Sequence, residues 1–154
     1  DWTMNPFIDL PDSKAAFSNV ALEENDVAVI AVPSYGGRVP QTATERLPQS
    51  MGMEQKLSFS GLGKPGNEDT LVELEDAAKQ AGFRVVAAVA AIAEHSIARQ
   101  FATGRPDAQD QVQLHTFAEK IWTKLDAGDL TEPVIPGNRP YKKGGGAGMV
   151  PKPT

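Results

Sequence analysis

The residues best placed to do chemistry stand in two glycine-containing loops. The first is Pro33-Ser34-Tyr35-Gly36-Gly37-Arg38-Val39-Pro40, directly after an apolar run. An aromatic ring followed by two glycines suits a planar ligand: the ring stacks, and glycine lets backbone N–H groups come close. Arg38 could pair with a phosphate, or with Glu45 on the following segment, and the ion pair is the simpler reading. The second loop is Gly61-Leu62-Gly63-Lys64-Pro65-Gly66-Asn67. Lys64 among glycines could attract an anion, but the Gly-Lys-Ser/Thr ending of a Walker loop is missing, and an exposed lysine explains it as well. Nucleophilic chemistry finds little support. His95 and Ser96 are chain neighbours, whose side chains diverge on a strand or helix, and no glycine elbow surrounds Ser96. A capping Ser96 and a hydrogen-bonded His95 are the simpler assignment. His95 and His115 lie 20 residues apart, which matches no helical metal-ligand spacing. With no cysteine, disulfides, thiolate catalysis and cysteine-ligated clusters are excluded within these 154 residues.

Composition narrows the field further. Hydrophobic residues make up 40% and charged residues 23%, enough for one domain with a real core. The formal net charge of −5 argues against a general affinity for nucleic acid or anionic membrane. No apolar run approaches the roughly 18 residues that span a bilayer, and no leader pattern opens the chain. A soluble, cytoplasmic protein that meets other proteins is the expectation. Asp1 is not an initiator methionine, so the chain is expected to have lost its true N-terminus or to be a piece of a longer protein.

The loops need elements to position them. Residues 26–32 form a near-continuous β-branched run, as a strand buried on both faces requires. Pro40 is placed to open a helix over 41–47. Residues 56–60 alternate and predict a strand. A helix is expected over 68–81, capped by Asn67 and closed by Gly82. Its apolar face would be Leu71, Leu74, Ala78 and Ala81, with Glu75 and Lys79 paired on the other face. Residues 83–92 predict a second buried strand, although alanine makes a helix conceivable. A short helix is expected over 97–102. The longest helix would open at Pro106 or Asp107, with Arg105 paired to Asp107 or Asp110. It carries Leu114, Phe117, Ala118, Ile121 and Leu125 at helical spacing and ends at Gly128. His115 reads as solvated, and Trp2 and Trp122 as packing residues. Residues 129–154, rich in Pro, Gly and Lys, read as a linker or extended tail beside a domain over 1–128.

Alternating strands and helices predict an α/β fold with a parallel sheet. Ligands in such folds sit beyond the carboxyl ends of the strands, where the loops at 33–40, 61–67 and 94–106 lie.

The loop at 33–40, the stretch Ala93-Glu94-His95-Ser96-Ile97 and the later Gly104-Arg105-Pro106-Asp107-Ala108-Gln109-Asp110 together resemble the flavodoxin half of bacterial and archaeal flavodoxin–ferredoxin fusion proteins. Pro136-Gly137-Asn138-Arg139-Pro140-Tyr141 resembles their inter-module linker. The resemblance covers about residues 20–154 and implies a flavodoxin-like three-layer parallel sheet with helices on both faces. It also implies an FMN-dependent electron carrier, not a hydrolase or transferase. The redox partner would be a ferredoxin or 4Fe–4S module, fused downstream, with no metal within this chain. Pro33, Ser34, Tyr35, Gly36, Gly37, Arg38, Gly63, Gly66 and Asn67 would contact the flavin.

Two departures stand against a complete site. The strand and Ser/Thr/Gly-rich phosphate loop that open such domains are missing ahead of Val27, so the fold is expected to be incomplete. The Tyr-Gly-Asn-Arg-like loop that usually follows the next strand is replaced by Gly61 to Asn67, without the aromatic. Residues 57–64 could imitate the missing phosphate loop, or simply be a divergent strand and its loop. The alternative function is a flavodoxin-like docking domain that has lost flavin binding.

Overall fold

The computed structural model describes residues 26–47, the backbone of 55–62, and residues 69–94 and 99–142. Along the chain these form β1 (Val27–Pro33), α1 (Gln41–Arg46), β2 (Gln55–Leu62), α2 (Thr70–Gln80), β3 (Phe83–Ala91) and α3 (Ala108–Asp126). The strands make one sheet in the order β1-β2-β3, with both pairings parallel. This is an α/β fold, and each parallel step is bridged by a helix, as the geometry demands. Residues 83–92 are strand rather than helix up to Ala91, so the alanine-rich run follows its position after Gly82 and not its propensity. Gly82 itself has φ +90°, the left-handed conformation that ends a helix.

One side of the sheet holds the core. Ile30 and Val32 of β1 and Phe83 and Val85 of β3 pack with Leu74, Ala77 and Ala78 of α2 and with Ala81 just past its end. Val39 and Leu47 close the end of this cluster, with Ala43 of α1 and Ile135 against its margin. The other side of β1 is open, and Val29 is 69% exposed. The strand therefore buries one face, not the two that its apolar run suggested.

β3 carries a bulge. Leu57 pairs with Val85 and Ser58 with Ala87, so Val86 is the extra residue. Its carbonyl accepts a hydrogen bond from Lys124 Nζ of α3 at 2.9 Å. That bond satisfies a buried acceptor and ties α3 to the strand. α3 opens on a capping box: Asp107 Oδ1 accepts from the backbone N–H groups of Gln109 and Asp110, and Asp110 accepts from Asp107 N. Arg105 braces this turn against both Asp107 and Asp110, so both expected pairings are present. Of the predicted apolar stripe only Leu125 is fully buried; Leu114, Phe117, Ala118 and Ile121 are half-buried. His115 is exposed, and Trp122 is 39% exposed.

The short helix expected over 97–102 is not formed in its described part. Residues 99–104 make turns and bends instead, with Thr103 Oγ1 bonded to the Arg99 carbonyl and Ala102 at φ +54°. The left-handed backbone of Ala102 and of Gly104 at φ +72° is incompatible with a right-handed helix through these residues. Trp2, His95 and Ser96 lie outside the described residues.

Among the described residues, no helix is long and apolar enough to cross a membrane.

Candidate functional site

The loop after β1 is built as a tight hairpin. Tyr35 N donates to Arg38 O at 3.0 Å, and Arg38 N donates to Tyr35 O at 3.2 Å. Gly36 and Gly37 form the two-residue tip at φ +60° and +80°, which a side chain at either position would strain. The glycines are thus explained by the turn itself. The turn is fixed to α2 at both ends. Ser34 Oγ and Thr70 Oγ1 share a hydrogen bond of 2.7 Å. Arg38 forks onto Glu73, with Nε to Oε2 and Nη2 to Oε1 both 2.7 Å, and Val39 N adds a third donor to Oε2 at 2.9 Å. Between these anchors the Tyr35 side of the turn faces solvent, with the residue 67% exposed.

Arg38 therefore has a different partner from the one expected. It pairs with Glu73, 35 positions along the chain, and not with Glu45, whose carboxylate accepts from Gln41 Nε2 at 2.7 Å. The fork geometry that would suit a phosphate is occupied by a carboxylate of the protein. The hydrogen bonds to Glu73 raise the guanidinium above its ordinary range against the opposing effect of burial, and the charges of Glu73, Asp69 and Tyr141 add to the rise.

A second carboxylate sits at the start of α2. Asp69 is 2% exposed and accepts from Asn138 N and Asn138 Nδ2, both at 2.8 Å, and from Lys142 N. Burial alone would raise its carboxyl, but the bonds from Asn138 and Lys142 and the charge of Arg38 hold it below the usual carboxylate range. Asp69 thus lends its negative charge to the positive end of α2.

Residues 129–142, expected as linker or tail, contain no helix or strand but run as a strap along α2. Arg139 Nη2 bonds Asp76 Oδ1 at 2.8 Å and Glu75 Oε2 at 2.7 Å, and the Tyr141 hydroxyl donates to Asp76. Arg139 is the chief cause that depresses the Asp76 carboxyl, while burial and the bond to Asp76 push the Tyr141 hydroxyl up to about 12. Lys79 bridges Glu75 at 3.0 Å and Glu132 at 2.7 Å. The expected Glu75–Lys79 pair is present, yet Glu75 is buried rather than on a solvent face, because the strap covers that side of the helix. The Arg38 guanidinium lies 4.9 Å from the centre of the Tyr141 ring, and its Nη1 donates to Lys142 O at 3.1 Å.

Of the residues assigned to a flavin, Pro33, Ser34, Tyr35, Gly36, Gly37 and Arg38 stand together at the carboxyl end of β1. Gly63, Lys64, Gly66 and Asn67 lie outside the described residues. Pro33 pairs in register with Leu62, so β1 and β2 end at the same sheet edge. Asp69 stands where the sequence puts a favourable charge, at the positive start of α2, but its bonds to the strap were not foreseen, and Glu73, Asp76, Arg139 and Tyr141 were missed. A signal existed: Asp69, Glu73 and Asp76 repeat at helical spacing, opposite a tail that combines arginine, tyrosine and lysine. Among the described residues, no group of three or more His, Cys, Asp or Glu side chains is placed to hold a metal ion.

No family model, curated protein or solved structure matches the chain.

Proposed function

We propose that this chain is a flavodoxin-like domain that docks a ferredoxin-type redox partner at the carboxyl edge of its sheet, without holding FMN. The observation that carries the reading is the fate of the anion-binding groups around the 33–40 turn. Arg38 is forked onto Glu73, and the start of α2 is occupied by the buried Asp69. An FMN phosphate carries a charge of about −1.5 to −2 and would meet these carboxylates, with Arg38 already engaged by Glu73 among the described residues. What remains is an exposed aromatic on a fixed turn, a surface suited to protein contact.

A second reading keeps the flavin, with one- or two-electron transfer to a 4Fe–4S module. It draws support from the glycine tip beside an exposed Tyr35, where a ring could stack and backbone N–H groups could set the potential. On that reading Pro33, Ser34, Tyr35, Gly36, Gly37 and Arg38 would line the ring, and Gly63, Gly66 and Asn67 the phosphate.

Titration with FMN, followed by quenching of its fluorescence, separates the two. Binding weaker than micromolar is expected, because stacking and one or two hydrogen bonds contribute only about 1 kcal/mol each. Sub-micromolar binding overturns the docking reading and restores the flavin carrier. In parallel, adding a reduced two-cluster ferredoxin to the isotopically labelled chain is expected to shift the amide signals of Tyr35 to Arg38; unshifted signals there would remove the docking face.

A further inference from the structure

We infer that residues 138–142 and the 35–39 turn form a single latch, so that loosening the strap loosens the turn. The coupling is written in shared partners. Lys142 donates its N–H to Asp69 and offers its carbonyl to Arg38 Nη1. The neighbouring Tyr141 ring lies under the same guanidinium, and its hydroxyl holds Asp76 one turn further along α2 than Glu73. Arg38 and Val39 in turn share Glu73. One side of the seat that holds Arg38 is therefore made by α2 and the other by the strap. Asn138 pins the near end of the strap with both its backbone and side-chain N–H groups on Asp69.

The latch has a directional consequence. Lys142 lies beside the turn that carries Tyr35. A load or a partner acting on the strap is thereby passed to the turn through Arg38. Glu73 keeps hold of Arg38 when the strap lifts, so the turn loses its contacts with Lys142 and Tyr141 and loosens on that side while staying anchored to α2. The inference does not depend on whether FMN binds.

Residue-resolved hydrogen exchange tests it, because the shared bonds report through named amides: Asn138 and Lys142 for the strap, Tyr35, Arg38 and Val39 for the turn. Asn138→Ala removes one bond to Asp69 and contacts nothing in the turn. It is expected to speed exchange at Lys142 about five- to tenfold and at Arg38 and Val39 by a similar factor, with Val85 and Ala78 unchanged. Faster exchange at Lys142 alone, or no change at either place, overturns the latch. Tyr141→Phe leaves every backbone donor intact and serves as the second variant. It is expected to show the same paired response, and a response confined to residues 138–142 overturns the inference equally. Should Asn138→Ala unfold the chain, Tyr141→Phe alone decides.

Discussion

Replacing Arg38 by methionine keeps the length of the side chain and removes its charge and its five donors. Three interactions are lost at once. The first is the fork onto Glu73, whose side-chain exposures are 30% for Arg38 and 12% for Glu73. Hydrogen bonds to charged groups are worth about 1.5–3 kcal/mol when shielded, and partial exposure of this pair places the whole fork at about 1.5–2 kcal/mol. The cation over Tyr141 adds about 0.5 kcal/mol, and the bond to the Lys142 carbonyl about 0.5 kcal/mol more. Glu73 would retain only Val39 N as a donor. The expected loss is therefore about 2.5–3 kcal/mol. Urea unfolding followed by far-ultraviolet circular dichroism measures it; with a slope of about 1.5 kcal/mol per molar, the midpoint falls by about 2 M. Arg38→Lys keeps the charge but not the planar fork and is expected to lose about half as much. A double-mutant cycle with Glu73→Gln isolates the pair. A loss below about 0.5 kcal/mol, or additive single and double variants, would refute the view that this ion pair anchors the turn.

Two further outcomes follow from the geometry. Asp110 is held at about 2 by its bond from Arg105, with Asp107 N and the Arg105 charge also lowering it, and Asp69 and Asp76 are depressed in the same direction. A carboxyl whose folded value lies below its unfolded one stabilises above about pH 4 and loses that contribution as pH falls towards about 2, so the melting temperature should drop across that window. Asp110→Asn should flatten part of this acid limb, and a melting temperature that holds steady or rises on acidification would contradict the assignment. Leu74, 1% exposed between α2 and the sheet, is expected to cost about 3 kcal/mol on replacement by alanine. A much smaller loss in the same urea experiment would mean that α2 does not seal this core.

The elements that were legible in the sequence are those written locally. The apolar run of β1, the Gly82 stop before β3 and the Asp107 cap of α3 each depend on residues within a few positions of one another. The site was legible only at its tip: Tyr35, Gly36 and Gly37 signal a turn whatever surrounds them. What held the turn was not. Glu73 lies 35 positions from Arg38, and Asp76 lies 65 from Tyr141, and nothing in a local pattern ranks Glu73 above Glu45 as a partner. Glu75 shows the same blindness from the other side. Its spacing to Lys79 gave the pair correctly, but burial came from a strap whose proline and glycine content reads as solvent-exposed chain. The bulge at Val86 was also silent, because the skipped residue is as apolar as its neighbours.

The electrostatics of the site and the fixing of its turn point the same way. Among the described residues, Asp69, Glu73, Glu75, Asp76 and Glu132 outnumber the cations Arg38, Lys79, Arg139 and Lys142 around α2, a balance that favours a neutral or cationic visitor over a phosphate. At the same time Ser34–Thr70 and Arg38–Glu73 hold both ends of the Tyr35 turn on the first turns of α2. α2 is itself buried against the sheet through Leu74, Ala77 and Ala78. An aromatic presented on so fixed a support has little further freedom to lose when a partner covers it. A flavin would gain from that rigidity too, but its phosphate would still need an anchor, and among the described residues Arg38 and the start of α2 are both engaged within the protein. A protein partner has no such requirement. On the proposed docking reading this rigidity favours a protein partner over a cofactor, and the inferred latch through Lys142 would be the route by which the turn is loosened.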